Sequence, residues 1–191
     1  MNILKPQNVK FNELENIDLR NIDRDEDIEH CKISNVKMQN NEIENVTFRD
    51  VIFENCDFSN TKFIDNTFIR CEFNNCKLSG CDMTENRLYN VTFIETNASY
   101  INLSMASIEN ILFKDSNFRN SYFQETTVKN IYFENVDLTQ AQFFKTSLRN
   151  VDLSNSTIEG IAITIDDIKG AIISQTQSID LLYLIGVKVK W

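Results

Sequence analysis

Five cysteines, one histidine and a surplus of carboxylates are the residues that could do chemistry in this chain. Cys71, Cys76 and Cys81 lie five residues apart, and Cys31 and Cys56 share their phase. Thiolates bind zinc, but structural zinc sites pair their cysteines two to four residues apart, and that spacing is missing here. Free cysteine otherwise behaves as a small apolar residue. All five are therefore expected to fill a core, with no metal bound. A Cys56–Cys76 disulfide is conceivable from their phase, but a reducing cytoplasm disfavours it. His30 stands alone, so no Ser-His-Asp set can be assembled. Four glycines form no phosphate loop. The carboxylates are spread along the chain rather than gathered toward a pocket. No catalytic residue and no cofactor are expected, and the chain does not read as an enzyme.

What positions these residues is a repeat. Every fifth residue from Ile28 to Ile163 is apolar, and twelve of the fourteen Phe fall on this one register. A period of five is neither the 3.6 of a helix nor the 2 of a strand. The chain must turn a corner every five residues and point one large side chain inward from each side. Two residues earlier comes a smaller class, with Val46, Val51, Cys56, Thr61, Asn66, Cys71, Cys76 and Cys81 in sequence. One large and one compact inward residue per side avoid overpacking. The other three positions are mostly polar and face water.

Units such as Cys56-Asp57-Phe58-Ser59-Asn60, Val136-Asp137-Leu138-Thr139-Gln140 and Val151-Asp152-Leu153-Ser154-Asn155 resemble the pentapeptide-repeat family. The resemblance covers residues 28–165. It implies an all-β fold, a right-handed quadrilateral β-helix with twenty residues per coil. Read at that spacing, Ile33, Phe53, Phe73, Phe93, Phe113, Phe133 and Leu153 form one column, and Ile43, Phe63, Met83, Leu103, Phe123, Phe143 and Ile163 another. Coils stacked at about 4.8 Å would stack these rings. Asn90, Asn110, Asn130 and Asn150 form an outer ladder, and Asn35, Asn55 and Asn75 begin a second. Asn66 and Asn86 point inward and must pair with each other or with corner backbone.

Residues 1–27 are expected to be an N-terminal cap and irregular first coil, residues 28–165 the β-helix, and residues 166–191 a C-terminal cap and dimerisation segment. Leu14 and Leu19 keep the period of five but are out of phase with Ile28 by one. Ser174-x-x-Gln177 reads as a capping box opening a helix that runs to about Ile185, with Gly186 as its stop. Ile179, Leu182 and Tyr183 line one face of that helix, and Leu181, Leu184 and Ile185 another. A short helix apolar on both faces must bury both, one on the last coil and one on a second subunit. Val187, Val189 and Trp191 alternate with lysines and read as a short strand in the same contact. This ending resembles the Qnr and mycobacterial Mfp branch of the family, whose members join two solenoids tail to tail. The unbroken register leaves no room for the inserted loops of many Qnr proteins.

The formal net charge is −9. Direct nucleic-acid binding is disfavoured, because phosphates need basic counter-charge. Imitation of nucleic acid is favoured instead, since a rigid acidic rod can occupy a basic groove built for DNA. The side bearing the Phe column offers Glu54, Glu72, Glu95, Asp115, Glu134 and Asp152, and the opposite side Asp65, Asp82, Glu85 and Glu125. The Qnr and Mfp resemblance implies binding to DNA gyrase or topoisomerase IV as a DNA mimic, and protection from quinolones or a related toxin. The alternative is a generic interaction scaffold that uses the outward apolar residues Ile64, Tyr122, Phe144 and Ile165 on one side, and Ile69 and Tyr89 on another. With no apolar run of membrane-spanning length and no signal pattern at the N-terminus, a cytoplasmic location is expected.

Overall fold

The sequence demands a corner every five residues, and the backbone supplies it in one way. A computed structural model describes residues 3–6, 12–15 and 27–188 of the chain. From His30 to Asn150 the residues spaced by five sit in the left-handed region, with φ between 48° and 64° at all the non-glycine positions. Asn fills twelve of these corners and Asp three, with Gly80 in the same phase. Asn and Asp tolerate this conformation because their short polar side chains bond locally, and glycine because it lacks Cβ. The enrichment of Asn at every fifth position is thus a backbone requirement before it is a ladder.

Between corners the chain is extended. The strands are β1 (Asn12–Glu15), β2 (Asp27–Ser34), β3 (Glu42–Glu44), β4 (Thr47–Glu54), β5 (Lys62–Ile64), β6 (Thr67–Asn74), β7 (Arg87–Ile94), β8 (Ser107–Lys114) and β9 (Thr127–Glu134). A parallel sheet orders them β1-β2-β4-β6-β7-β8-β9, and β3 pairs with β5. Each eight-residue strand contains one left-handed corner, so the sheet covers two adjacent sides of the solenoid. Partners lie twenty residues apart, as in Phe53↔Phe73, Phe93↔Phe113 and Phe113↔Phe133. Single bridges carry the ladder on to Asp152↔Ile172. The exception is β1, where Leu14 pairs with Ile33 at a spacing of nineteen. The phase slip read in the sequence is one residue missing from that coil, and the ladder runs across it.

Inside, the columns form as the spacing predicts. Rings stack with centroids 4.6 Å apart for Phe53–Phe73, 5.0 Å for Phe73–Phe93, 5.1 Å for Phe93–Phe113 and 5.2 Å for Phe113–Phe133. Neighbouring sides meet edge to face, as Phe113 and Phe118 do at 4.6 Å. The compact inward residues follow one rule. Donors on these residues bond the carbonyl twenty-three residues earlier, as Cys71 does to Phe48, Thr96 to Phe73, Thr126 to Leu103 and Asn66 to Ile43, with buried Ser121 Oγ an exception that has no partner. Asn66 Oδ1 also accepts from the Val46 N–H at 2.8 Å, and Asn86 Oδ1 from the Asn66 N–H at 2.7 Å. The inward Asn pair is therefore satisfied by corner backbone. All five cysteines are buried and free. Burial pushes Cys31 up to about 11, and Cys71 and Cys81 up to about 12.

The C-terminal end departs from the sequence reading in detail. Thr164 caps a short helix, α1 (Ile165–Ile168), that the pattern does not announce. The capping box forms, with the Ser174 N–H on Gln177 Oε1 at 2.7 Å and the Gln177 N–H on Ser174 Oγ at 3.4 Å. It closes a turn rather than a helix, because Gln177 Nε2 is drawn inward to the Leu153 carbonyl at 2.8 Å. Helix α2 (Ser178–Leu181) starts only afterwards and tightens into a 3₁₀ turn, Leu182–Ile185, that ends on left-handed Gly186. Leu181 and Leu184 pack on the core. Val187 and Lys188 carry no strand, and Val189 and Trp191 lie outside the described residues.

Two measurements follow from this backbone and core. Met105 holds φ 58° while 51% exposed, with no inward packing of its own to lose. Met105→Asn is expected to raise the unfolding free energy by about 1 kcal/mol, read from the denaturant midpoint. The Cys31, Cys71 and Cys81 thiols bind a proton more tightly folded than unfolded, so their contribution is complete below the ordinary thiol pKa. It is lost as pH rises through the folded values. That contribution should be flat below pH 9 and fall between about 9 and 12, at roughly 1.4 kcal/mol per pH unit for each titrating thiol.

Candidate functional site

The six carboxylates singled out on the Phe-column side share one outer surface. Glu54 and Glu134 stand one residue after the inward ring, Glu72 and Asp152 one residue before it, and Glu95 and Asp115 at the adjoining corner. They are not a uniform acidic face. Glu54 pairs with Lys32 at 2.7 Å, Glu134 with Lys114 at 3.9 Å and Glu72 with Lys5 at 4.0 Å. Asp115 accepts from Asn135 Nδ2 at 2.8 Å. Hydrogen bonds from Ser154 hold the Asp152 carboxyl below the usual range. Glu95 carries no ion pair among the described residues, and it borders a shallow groove that also holds Lys37, Asp57 and Lys77.

Pairing is general along the stack. Glu29–Arg49, Glu42–Lys62, Glu109–Lys129 and Glu125–Lys145 bridge adjacent coils at 2.8, 2.9, 2.5 and 2.7 Å. Donating hydrogen bonds to those glutamates raises the pKa of Lys62, Lys129 and Lys145. On the opposite side, Asp65 and Glu85 have no ion pair among the described residues, and Asp82 accepts from the Thr84 N–H at 3.1 Å. That same side turns apolar toward the C-terminus. Phe144 borders a groove with Gly160, Ile161, Ala162, Ile163 and Tyr183. The Tyr183 hydroxyl donates to the Ile161 carbonyl.

The residues expected at a dimer contact divide by exposure. Leu181, Leu182 and Leu184 are half-buried, while Ile179, Tyr183, Ile185 and Val187 are exposed, together with nearby Ile165 and Ile172. Two other features escaped the sequence reading. Tyr100 and Met105 sit at successive left-handed corners and are 58% and 51% exposed. Asp50 is fully buried at a corner, bound by Arg70 Nε at 2.6 Å and Arg70 Nη2 at 2.5 Å, with His30 Nε2 at 3.6 Å. The Asp50 bond raises the Arg70 pKa. Reading charges at the twenty-residue spacing would have found this trio, as it finds the ladder pairs. Among the described residues no group of three or more His, Cys, Asp or Glu is placed to hold a metal. No helix there is long and apolar enough to cross a membrane.

Comparisons with known proteins return repeats of the same kind. A family model described as a pentapeptide repeat region matches residues 66–143, and one described as pentapeptide repeats (8 copies) matches residues 42–84. No curated protein matches by sequence. Similar solved structures include trypsin-treated QnrB1, described as a plasmid-mediated fluoroquinolone resistance protein. It is 20% identical, with 94% of this chain and 98% of that one covered and a TM-score of 0.44. HetL of the cyanobacterium Nostoc sp. strain PCC 7120, a pentapeptide repeat protein involved in heterocyst differentiation regulation, is 12% identical. There 90% of this chain and 92% of that one are covered, with a TM-score of 0.35.

Removing one partner of a buried pair strands the other, whereas an exposed pair is worth little. Arg70→Met is expected to cost about 3 kcal/mol of unfolding free energy, by taking from the buried Asp50 carboxylate its two guanidinium hydrogen bonds. Lys62→Met, at an exposed pair, should leave the midpoint of the same denaturation experiment essentially unchanged.

Proposed function

This chain belongs to the pentapeptide-repeat family, and from that premise we propose that it is a non-enzymatic DNA mimic. It binds DNA gyrase or topoisomerase IV in the cytoplasm and protects the enzyme from quinolones or a related toxin. The observation that carries this reading is a carboxylate surplus, net charge −9, laid along the outside of a stacked parallel β-solenoid. Duplex DNA is likewise a stiff rod, with a negative charge every ~1.7 Å of its axis. The charge density here is lower, and the coil-to-coil ion pairs lower it further. Steering by net charge and fit by shape therefore share the work. The C-terminal resemblance to the Qnr and Mfp branch supports the choice of target.

In this reading residues 28–165 are the rod, residues 1–27 its first cap, and residues 166–191 the cap that pairs two copies. Glu54, Glu72, Glu95, Asp115, Glu134 and Asp152 face the partner, with Glu95 the freest of them. Dimerisation uses Ile179, Leu181, Leu182, Tyr183, Leu184, Ile185 and Val187, continued by Val189 and Trp191. The exposure of Ile172, Ile179, Ile185 and Val187 on one short segment supports that contact.

A second reading has a specific observation behind it. Tyr100, Met105, Phe144 and Ile165 are all exposed around one side of the solenoid, as a scaffold docking through apolar contact requires. Salt separates the two, because a charge-driven mimic loses affinity steeply with ionic strength and an apolar dock does not.

The test is a gyrase supercoiling assay with a quinolone, titrated with this protein. Restored supercoiling is expected, and the double substitution Glu95→Lys and Asp115→Lys should weaken it about tenfold or more. Absence of any effect on gyrase and on topoisomerase IV would remove the mimic and leave the scaffold.

A further inference from the structure

One patch on the outside of the sheet is built unlike the rest of the stack. Residues just before the inward ring face solvent elsewhere, and Tyr132 and Asp152 are accessible there. In the same column, in register, Thr92 and Leu112 are 2% and 6% exposed. Asn90, at the adjoining corner, is 1% exposed, while Asn110 and Asn130 of that corner column remain accessible. The Asn130 amide continues the ladder to Asn110 at 2.8 Å, but Asn90 turns to something else.

Among the described residues, the chain's own residues 3–6 lie against Asn90 and Glu72 at this patch. The Leu4 N–H donates to Asn90 Oδ1 at 3.2 Å, across eighty-six residues of sequence. Lys5 Nζ stands 4.0 Å from Glu72 Oε1, and Glu72 is the register partner of Thr92. Pro6 fixes its own φ and holds Lys5 extended. This occupant fits poorly. Leu4 is 57% exposed and the Lys5 side chain 72%. At the patch Asn90 Nδ2 and Thr92 Oγ1 are buried with no hydrogen-bond partner, as is Asn74 Oδ1 beside Glu72. A polar group left dry is destabilising, so the site is unsatisfied with what it holds.

We propose that this patch is a docking site for an extended, cationic peptide segment, and that residues 3–6 are a weak occupant held in cis. In an extended chain the N–H and C=O of one residue point the same way. The Asn90 amide can therefore accept that N–H through Oδ1 and donate to that C=O through Nδ2. Leu4 uses only the first half of this pair. Thr92 Oγ1 takes a further backbone group, and Leu112 supplies apolar contact. Glu72 and Asn74 Oδ1 together accept from a basic side chain, and a guanidinium has the donors for both. No topoisomerase is needed for this site.

The probe is a fluorescein-labelled, acetylated hexapeptide of the chain's own residues 2–7, read by anisotropy against the full-length protein. A tethered competitor acts at an effective concentration of order mM, so the wild type should bind the probe weakly. Leu4→Pro with Lys5→Glu removes the N–H and reverses the cation, and should bind it at least about tenfold tighter. In that background Asn90→Gly keeps the left-handed corner but removes the amide, and binding should fall about tenfold or more. Thr92→Val, which cannot disturb the corner, should weaken binding severalfold and raise the thermal midpoint of the otherwise wild-type protein. No probe binding to the released protein at about 1 mM, the scale of the tethered concentration, overturns the proposal. Equal binding with and without the Asn90 amide or the Thr92 hydroxyl overturns it as well.

Discussion

Everything in this molecule depends on a left-handed residue at every fifth position. A parallel strand pair ordinarily needs a long crossover to bring the chain back. Here four short corners do the same work in twenty residues, so identical positions of successive coils fall into register. The register then decides the rest. It aligns rings at stacking distance, sets inward donors such as those of Cys71, Thr96 and Asn66 against the carbonyl twenty-three residues earlier, and brings opposite charges on successive coils within bonding reach. The corner itself is a local conformational cost, small at Asn and Gly and larger at Tyr100 or Met105, repeated so often that no single substitution removes it.

That regularity made the fold legible and hid part of the surface. The inward columns could be read from Phe53 to Phe133 because a translation by twenty residues is all the geometry they need. Asn66 and Asn86 could be read for the same reason. The corner conformation left a trace in the Asn at every fifth place, but ladder bonding explained the same residues, and only φ tells the two apart. The helix beyond Gln177 was misjudged in its start because a capping box predicts where a turn closes, not that its Gln will be pulled into the last coil. The seat of Leu4 on Asn90 had no sequence signal at all, since it joins an irregular segment to a site in the middle of the stack.

The charged surface shows the limit of counting. The surplus of acid is real, but translation places Lys or Arg one coil from many of the carboxylates. Glu54, Glu72 and Glu134 are each shared with a lysine, and Glu29, Glu42, Glu109 and Glu125 with a base one coil on. What a partner meets is therefore a banded surface with a few unshared carboxylates, Asp65, Glu85 and Glu95 among them. Between these bands lie apolar and amide side chains. A partner that reads this rod reads position as well as charge.

The parallel ladder also fixes how the rod bears force. Its backbone hydrogen bonds run along the axis, while the covalent chain runs around it. Compression brings rings already about 5 Å apart against their repulsive walls, so the rod is stiff to a push. Tension loads only the bonds between one coil and the next, and each coil that detaches releases its own twenty residues of slack. Pulled from its ends, the molecule would lengthen in even steps, one coil at a time, as a chain of equal links rather than a single block.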